Sequence, residues 1–300
     1  MSNKTYKAIT EKIVTALENE TIPWAKPWAS VNVKDTDIPH NGLSKRAYNG
    51  LNLLLLACNN YKSKDYYTFK QASDLGASIK KGSKGNIISF FNVYMRDQAN
   101  KTVSLAKFNS MTKDEKEQVK KFSTLRYYYV FNRDQIDGLP EPAKVETVEE
   151  IKTEKEKLES CENIIAGYKD CPEIEEKPSN KAFYNETFDF VTMPSREQFI
   201  NIAEFYQVLF HELTHSTGIK KRLNRAGFST YTGKNRAREE LVAELGASFL
   251  CSVAGIDFNV ENAAAYCRSW SQKLKDDPKA ISLAAGAATK AANYILNIKK

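Results

Sequence analysis

"VLFHELTHSTGIKKR", residues 208–222, holds two of the three histidines in a chain of 300 residues. His211 and His215 stand four apart, with Glu212 directly after the first. On a helix such a pair lies one turn apart on the same face, so both imidazoles can reach one ion. Zinc suits the pair, at about 2.0–2.1 Å per nitrogen. Glu212 sits about 100° round the helix, close enough to take a proton from water on the ion without being a ligand. The stretch closes a longer amphipathic pattern, "PSREQFINIAEFYQVLFHELTHSTG" (194–218). There Ser195 and Gln198 form a capping-box pair, and Phe199, Ile202, Phe205, Leu209 and Leu213 make an apolar stripe. Gly218 reads as the terminator. The spacing therefore predicts one helix opening at Ser195 and carrying half of a metal site.

The third ligand has to come from elsewhere. One zinc-peptidase class continues the motif with a third histidine six residues on, but Lys221 occupies that position, and the remaining histidine, His40, is far away in the chain. A carboxylate must complete the site, and "REELVAELGASFL" (238–250) is the source. Its "ELVAE" resembles the second helix of glutamate-type zincins. That likeness makes Glu240 the ligand and Glu244 the residue steadying a histidine's outer nitrogen, with Glu239 solvated; the exchange of roles between Glu240 and Glu244 stays open. Two nitrogens, one carboxylate oxygen and a free position suit hydrolysis rather than a closed structural zinc. Arg222 and Tyr231 are candidate donors for a developing oxyanion.

Composition is that of a globular protein, 42% apolar and 27% charged. The most apolar run, "LNLLLLAC" (51–58), is far short of the roughly 20 residues of a membrane span, so no membrane partner is expected. The opening "MSNKTYKAITEKIVTALENE" reads as an amphipathic helix rather than an export signal, which predicts a cytoplasmic protein. Five cysteines without a CxxC pair argue against both a disulfide framework and a thiolate zinc cluster.

The charge is uneven. Residues 1–140 carry 22 Lys/Arg against 13 Asp/Glu, and residues 141–300 carry 22 against 24, so all of the +7 excess lies in the first part. There, Lys62, Lys64 and Lys70 alternate with Tyr61, Tyr66, Tyr67 and Phe69, and Gly82 and Gly85 flank further lysines. Cations interleaved with rings suit single-stranded nucleic acid, the cations following phosphates and the rings stacking on bases, while the glycines let backbone amides approach a phosphate. "NIISFFNVYM" and "LRYYYVFNRDQIDGL" read as strands, "AFYNETFDFVTMP" (182–194) as one more, and the C-terminal stretches as helices. The expected fold class is α+β in two domains: 1–140, a linker 141–146, and 147–300. Either part is long enough to bury its own core.

Taken together, "RAYNGLNLLLL", "YYTFKQASDLGASIKKGSKG", "YYVFNRDQIDGL", "FHELTHSTGIKKRLNR" and "REELVAELGASFL" resemble the ArdC-type antirestriction proteins of conjugative plasmids and other mobile elements. The resemblance runs over nearly the whole chain in the same motif order. It implies an N-terminal mixed α/β domain that binds single-stranded DNA and a C-terminal zincin-like metallopeptidase domain using Zn2+. It also implies protection of incoming DNA from restriction, and a host protein as possible substrate. His211, Glu212, His215 and Glu240 fall on the peptidase motif. Arg46, Tyr48, Asn52, Lys80, Lys81 and Lys84 fall on the N-terminal motifs and become DNA-contact candidates. The alternative is a non-catalytic single-strand binder that shields DNA, its zinc site structural or vestigial.

Overall fold

The computed structural model describes residues 3–25, 38–59, 61–141, 152–228 and 233–298. Most of the expected linker, and Tyr231, lie outside them. Helix α1 (Asn3–Glu18) is followed by β1 (His40–Asn41), α2 (Gly50–Ala57), β2 (Asp65–Tyr67), α3 (Phe69–Asp74) and β3 (Ser78–Ile79). Two long strands, β4 (Asn86–Arg96) and β6 (Lys120–Asn132), enclose β5 (Thr102–Val103), α4 (Leu105–Ser110) and α5 (Lys113–Glu117); β7 (Ile136–Asp137) ends this part. The remainder comprises α6 (Glu154–Gly167), β8 (Glu173–Glu176), β9 (Phe183–Asn185), β10 (Phe190–Met193), α7 (Ile202–Ser216), α8 (Gly233–Ala254), α9 (Ala263–Asp276) and α10 (Ala280–Ile295).

The first sheet has the order β1-β2-β6-β4-β5, antiparallel except for β1 with β2. Its backbone is the β4–β6 ribbon, paired from Asn86↔Val130 to Arg96↔Lys120. A small sheet, β8-β10-β9, lies beside α7, with β9 on its edge. The α+β class expected from the sequence is what forms.

Three local expectations change. "AFYNETFDFVTMP" is a hairpin, not one strand, because the chain reverses at Asp189, whose φ is +54°. The Ser195–Gln198 capping box is real, but it caps a single 3-10 turn. The long helix starts afresh at Ile202, where Asn201 Oδ1 accepts from Glu204 N at 3.0 Å. Gly218 does not stop the helix by a left-handed turn. It is required because a Cβ there would lie 2.3 Å from the Phe228 ring.

Part of the N-terminal domain packs into the core of the C-terminal helices. Ile9, Ile13 and Leu17 of α1, Trp24, and Leu54 and Leu55 of α2 belong to the same apolar cluster as α6–α10. Trp24 is fully buried; its Nε1 donates to the Tyr266 hydroxyl at 2.8 Å, and its carbonyl accepts from Ser248 Oγ. Thr10 Oγ1 donates to Pro278 O at 2.8 Å, and Lys275 pairs with Glu18 at 2.6 Å. The apolar stripes of α1 and α2 are thus covered by the C-terminal helices, while smaller clusters around Tyr67, Tyr66 and Met95 stay within the first 140 residues. All five cysteines are free, as expected. Among the described residues no helix is long and apolar enough to cross a membrane.

Because the core is shared, removing Trp24 should weaken the whole molecule. Trp24→Ala is expected to cost about 3–5 kcal/mol and to lower a single thermal transition seen equally by signals from both parts. Two separated transitions, only one of them shifted, would contradict the shared core.

Candidate metal centre

Helix α7 presents His211 and His215 from consecutive turns. Their Nε2 atoms converge to 3.1 Å. Glu240, from α8, brings Oε2 to 3.5 Å from His211 Nε2 and 3.8 Å from His215 Nε2. All three ligand atoms lie within 4.8 Å of one another. Around a tetrahedral zinc with bonds near 2.0–2.1 Å, neighbouring ligand atoms sit roughly 3.3 Å apart. The observed spacings differ from this by a few tenths of an ångström, so these side chains fit a metal ion with little rearrangement.

One close approach sets this geometry. Gly246 of α8 lets Thr214 of α7 come within 2.4 Å of where a Cβ would stand. Thr214 itself is fixed by its Oγ1 donating to Phe210 O at 2.7 Å. Helices held this near bring the carboxylates of α8 to the histidine face of α7.

The carboxylate behind the histidines is Glu239, and here the sequence expectation is corrected. His215 Nδ1 lies 3.0 Å from Glu239 Oε1, and Arg225 grips the same carboxylate with Nε at 2.7 Å and Nη2 at 2.6 Å. Glu239, expected to be solvated, is 5% exposed. Glu244, expected in that role, is instead half-buried in a cleft beside Tyr266 and Lys273, where burial pushes its carboxyl up. The i+4 spacing from Glu240 puts Glu244 on the same face of α8, but the neighbour at Glu239 meets the imidazole because α8 crosses α7 with that edge turned inward.

The electrostatics follow. Burial alone would lower the His215 pKa, but Glu239 and then Glu240 outweigh it and raise it to about 9 in the absence of metal. Hydrogen bonding to His211 and His215 holds Glu240 far below the usual carboxylate range. Burial opposes ionisation of Glu239, yet His215 and Arg225 keep its carboxyl low. A buried charge survives only when paired in this way.

Glu212 is nearly buried, and its Oε2 accepts from the backbone N–H of Tyr184 on the edge strand β9 at 2.8 Å. That strand is itself pinned: Tyr184 Oη donates to Asp189 at 2.6 Å, and Asp189 receives both Arg222 nitrogens at 2.6 and 3.0 Å. The Arg222 guanidinium is 1% exposed and also donates to Asp170 O and Ser216 O. Every donor face of Arg222 is occupied, so it is a brace for the site and not a free oxyanion donor. His40 is likewise committed, with Nε2 2.7 Å from Asp65 and Nδ1 2.8 Å from Ile38 O.

The N-terminal candidates divide. Arg46, Lys81 and Lys84 are exposed. Lys80 is exposed too, but its Nζ donates to Asp134 O at 2.9 Å. Tyr48 is half-buried against Tyr66. Asn52 is removed from the contact set: its Oδ1 accepts from Ser89 N at 2.6 Å and its Nδ2 donates to Ser89 O at 2.8 Å, which clamps α2 to β4. Gly85 serves a close approach to Tyr129, 2.7 Å from where a Cβ would stand, while Gly82 has φ +85° with open space around it.

Removing the carboxylate charge behind His215 should loosen a bound ion. Glu239→Gln is expected to lower metal affinity about 10- to 100-fold, while Glu244→Gln stays near the unaltered value, as read by competition with a chromogenic chelator. The reverse order would restore the role expected for Glu244.

Comparison with known proteins agrees with this architecture. Residues 3–131 match the N-terminal domain of the anti-restriction factor ArdC, and residues 160–287 match a zincin-like metallopeptidase family. Two proteins named DNA primase TraC from Escherichia coli are 30% and 29% identical over 97% of this chain, which spans only 20% and 27% of their lengths. A protein named y4eC from Sinorhizobium fredii is 29% identical over 97% of this chain and 91% of its own. The crystal structure of the antirestriction protein ArdC from plasmid R388, metal-free, is 31% identical with a TM-score of 0.68, covering 98% of this chain and 99% of that one. The same protein with Mn(II) bound aligns equally well, over 97% of both chains. With both halves matched in order and a whole-length relative of this similarity, the chain belongs to the ArdC antirestriction family and carries a zincin-like metallopeptidase domain.

Proposed function

We propose that this protein binds single-stranded DNA and hydrolyses a peptide bond in a host protein at a glutamate-type zinc site, protecting incoming mobile-element DNA in the cytoplasm. The observation that carries the reading is Glu212, held by the Tyr184 N–H beside the converging atoms of His211, His215 and Glu240. A purely structural metal site has no use for a further, non-ligating carboxylate at that position.

His211, His215 and Glu240 would hold the ion, and zinc suits two imidazoles with one carboxylate better than a harder, oxygen-preferring ion does. When bound, it supplies Lewis acidity toward water and the peptide carbonyl. Glu212 takes the proton from the attacking water and delivers it to the departing amine. The Tyr184 N–H keeps the carboxylate aimed, and Glu239, through Nδ1, presents the His215 Nε2 lone pair to the ion. Arg222 and Asp189 hold β9, and so Tyr184, in place.

The single-strand reading rests on the basic excess of residues 1–140 and on exposed Arg46, Lys81 and Lys84. That relatives of this sequence form part of chains named DNA primase agrees with a DNA-linked role.

Glu212→Gln is expected to retain the metal while lowering peptide hydrolysis roughly 10²- to 10⁴-fold. Host extract incubated with either protein supplies the assay, the cleaved species appearing only with the unaltered chain. Full antirestriction by the variant, measured as transfer of unmodified plasmid into a restricting host, would favour the shielding alternative instead. Binding to an oligodeoxynucleotide should weaken steeply with salt, and Lys81→Ala or Lys84→Ala should each reduce the slope of log K against log salt by about 0.7. Binding that ignores salt would remove the electrostatic reading.

A further inference from the structure

Four of the DNA-contact candidates chosen from the sequence, Arg46, Lys80, Lys81 and Lys84, are cations in loops, and loops of cations do not distinguish single strands from duplexes. The β4–β6 ribbon carries a feature that does. Its 24 residues (11 in β4, 13 in β6) contain eight aromatic rings, four cations and no carboxylate. In this register, Ile88 pairs with Tyr128, Phe90 with Arg126, Tyr94 with Phe122, and Arg96 with Lys120, so these residues, four of the rings among them, share one face.

On that face the rings stand in parallel. Phe90 and Tyr128 are stacked with centroids 4.3 Å apart and planes 11° from parallel. Tyr94 and Phe122 are stacked at 5.3 Å and 15°. Arg96 lies over the Tyr94 ring at 5.7 Å. Tyr128 is 47% exposed, and Arg126 and Lys120 are exposed as well. Among the described residues no ion pair engages Arg126 or Lys120. The opposite face is anchored: Ile87 and Leu125 pack into the main core and Met95 into a small cluster with Val103 and Val119. Exposed rings there, Phe91 and Tyr129, are interrupted by these anchors.

Stacked rings in a core need no unneutralised cations among them, and a strand face that simply meets water does not need rings. Rings alternating with free cations match a ligand with flat apolar faces joined by anions, and a single strand of DNA has that chemistry. We infer that the β4–β6 face of Tyr128, Phe90, Tyr94 and Phe122 is the stacking platform for the bases of single-stranded DNA, with Arg126 and Lys120 following its phosphates. This rests on the single-strand reading above and gives it a site. The track is long enough for several nucleotides, since from Ile88 to Arg96 the strand covers roughly 26 Å at about 3.3 Å per residue. It also reaches one of the sequence candidates: Ile88 packs in the cluster that holds Tyr48, so Tyr48 adjoins the face at one end. A duplex keeps its base faces hidden, so it can use the cations but not the rings.

The test uses the full chain and a fluorescein-labelled oligothymidine, with a duplex of matched length alongside. Tyr128→Ala and Phe90→Ala should each weaken single-strand binding roughly 5- to 150-fold, with unchanged salt slope and unchanged affinity for the duplex. Tyr128→Phe, which keeps the ring, should restore single-strand binding. Arg126→Ala should lower the salt slope by about 0.7. Ultraviolet crosslinking of an iodouracil-containing oligonucleotide to the unaltered chain should map to residues 86–96 or 120–132, a readout that does not depend on how any variant folds. Crosslinks confined to other segments, or tight binding by folded Tyr128→Ala and Phe90→Ala, would overturn the platform while leaving single-strand binding intact. Absence of any oligothymidine binding by the unaltered chain would overturn both.

Discussion

The contact on which the site depends is the approach of α8 to α7 at Gly246 and Thr214. A single added carbon at Gly246 would stand 2.4 Å from Thr214, and relieving that clash requires the helices to part. The distances from His211 and His215 to Glu240 are 3.5 and 3.8 Å, so a separation of even an ångström would take the carboxylate out of reach of a shared ion. The same approach drives Glu239 into the protein, where it has to be paired. His215 and Arg225 do this together, and a carboxylate bound on both sides becomes a rigid stop behind the imidazole. Close packing, buried charge and ligand aim are thus one constraint.

A second constraint links Glu212 to the sheet. Glu212 cannot be aimed by its own helix alone, because its rotamers sweep several ångströms. The Tyr184 N–H on β9 removes that freedom, and β9 is held by Asp189, whose partners are Arg222 and Lys221 from the loop after α7. The loop that follows the motif therefore returns to brace the strand that positions the motif. Asp189 pays for its left-handed backbone with these ion pairs, and they hold its carboxyl down at about 2 although burial opposes this.

Much of this was legible in the chain. Period-four histidines, a glutamate between them and a shortage of other histidines are enough to specify a helix-borne half-site and to demand a carboxylate from a later helix. The long aromatic strands are legible too. The choice between Glu239 and Glu244 was not, since a repeat of glutamates on one helix offers several faces, and only the crossing of α8 over α7 selects among them. The packing of α1 against the C-terminal helices was not legible either, for a related reason. An apolar stripe such as Ile9, Ile13 and Leu17 says that α1 must be covered, not by what, and the cover is α9 and α10 at the far end of the chain.

The sequence by itself determined which chemistry the molecule could hold, because residue type and short-range spacing decide ligand identity, helix face and strand alternation. Tertiary structure alone decided which carboxylate stands behind His215, that Arg222 is a brace, that Asn52 is a clamp, and that stacked rings share one face with unpaired cations. Each of these depends on a contact between residues distant in the chain. Such contacts are set by how whole elements cross and pair, which no local pattern records.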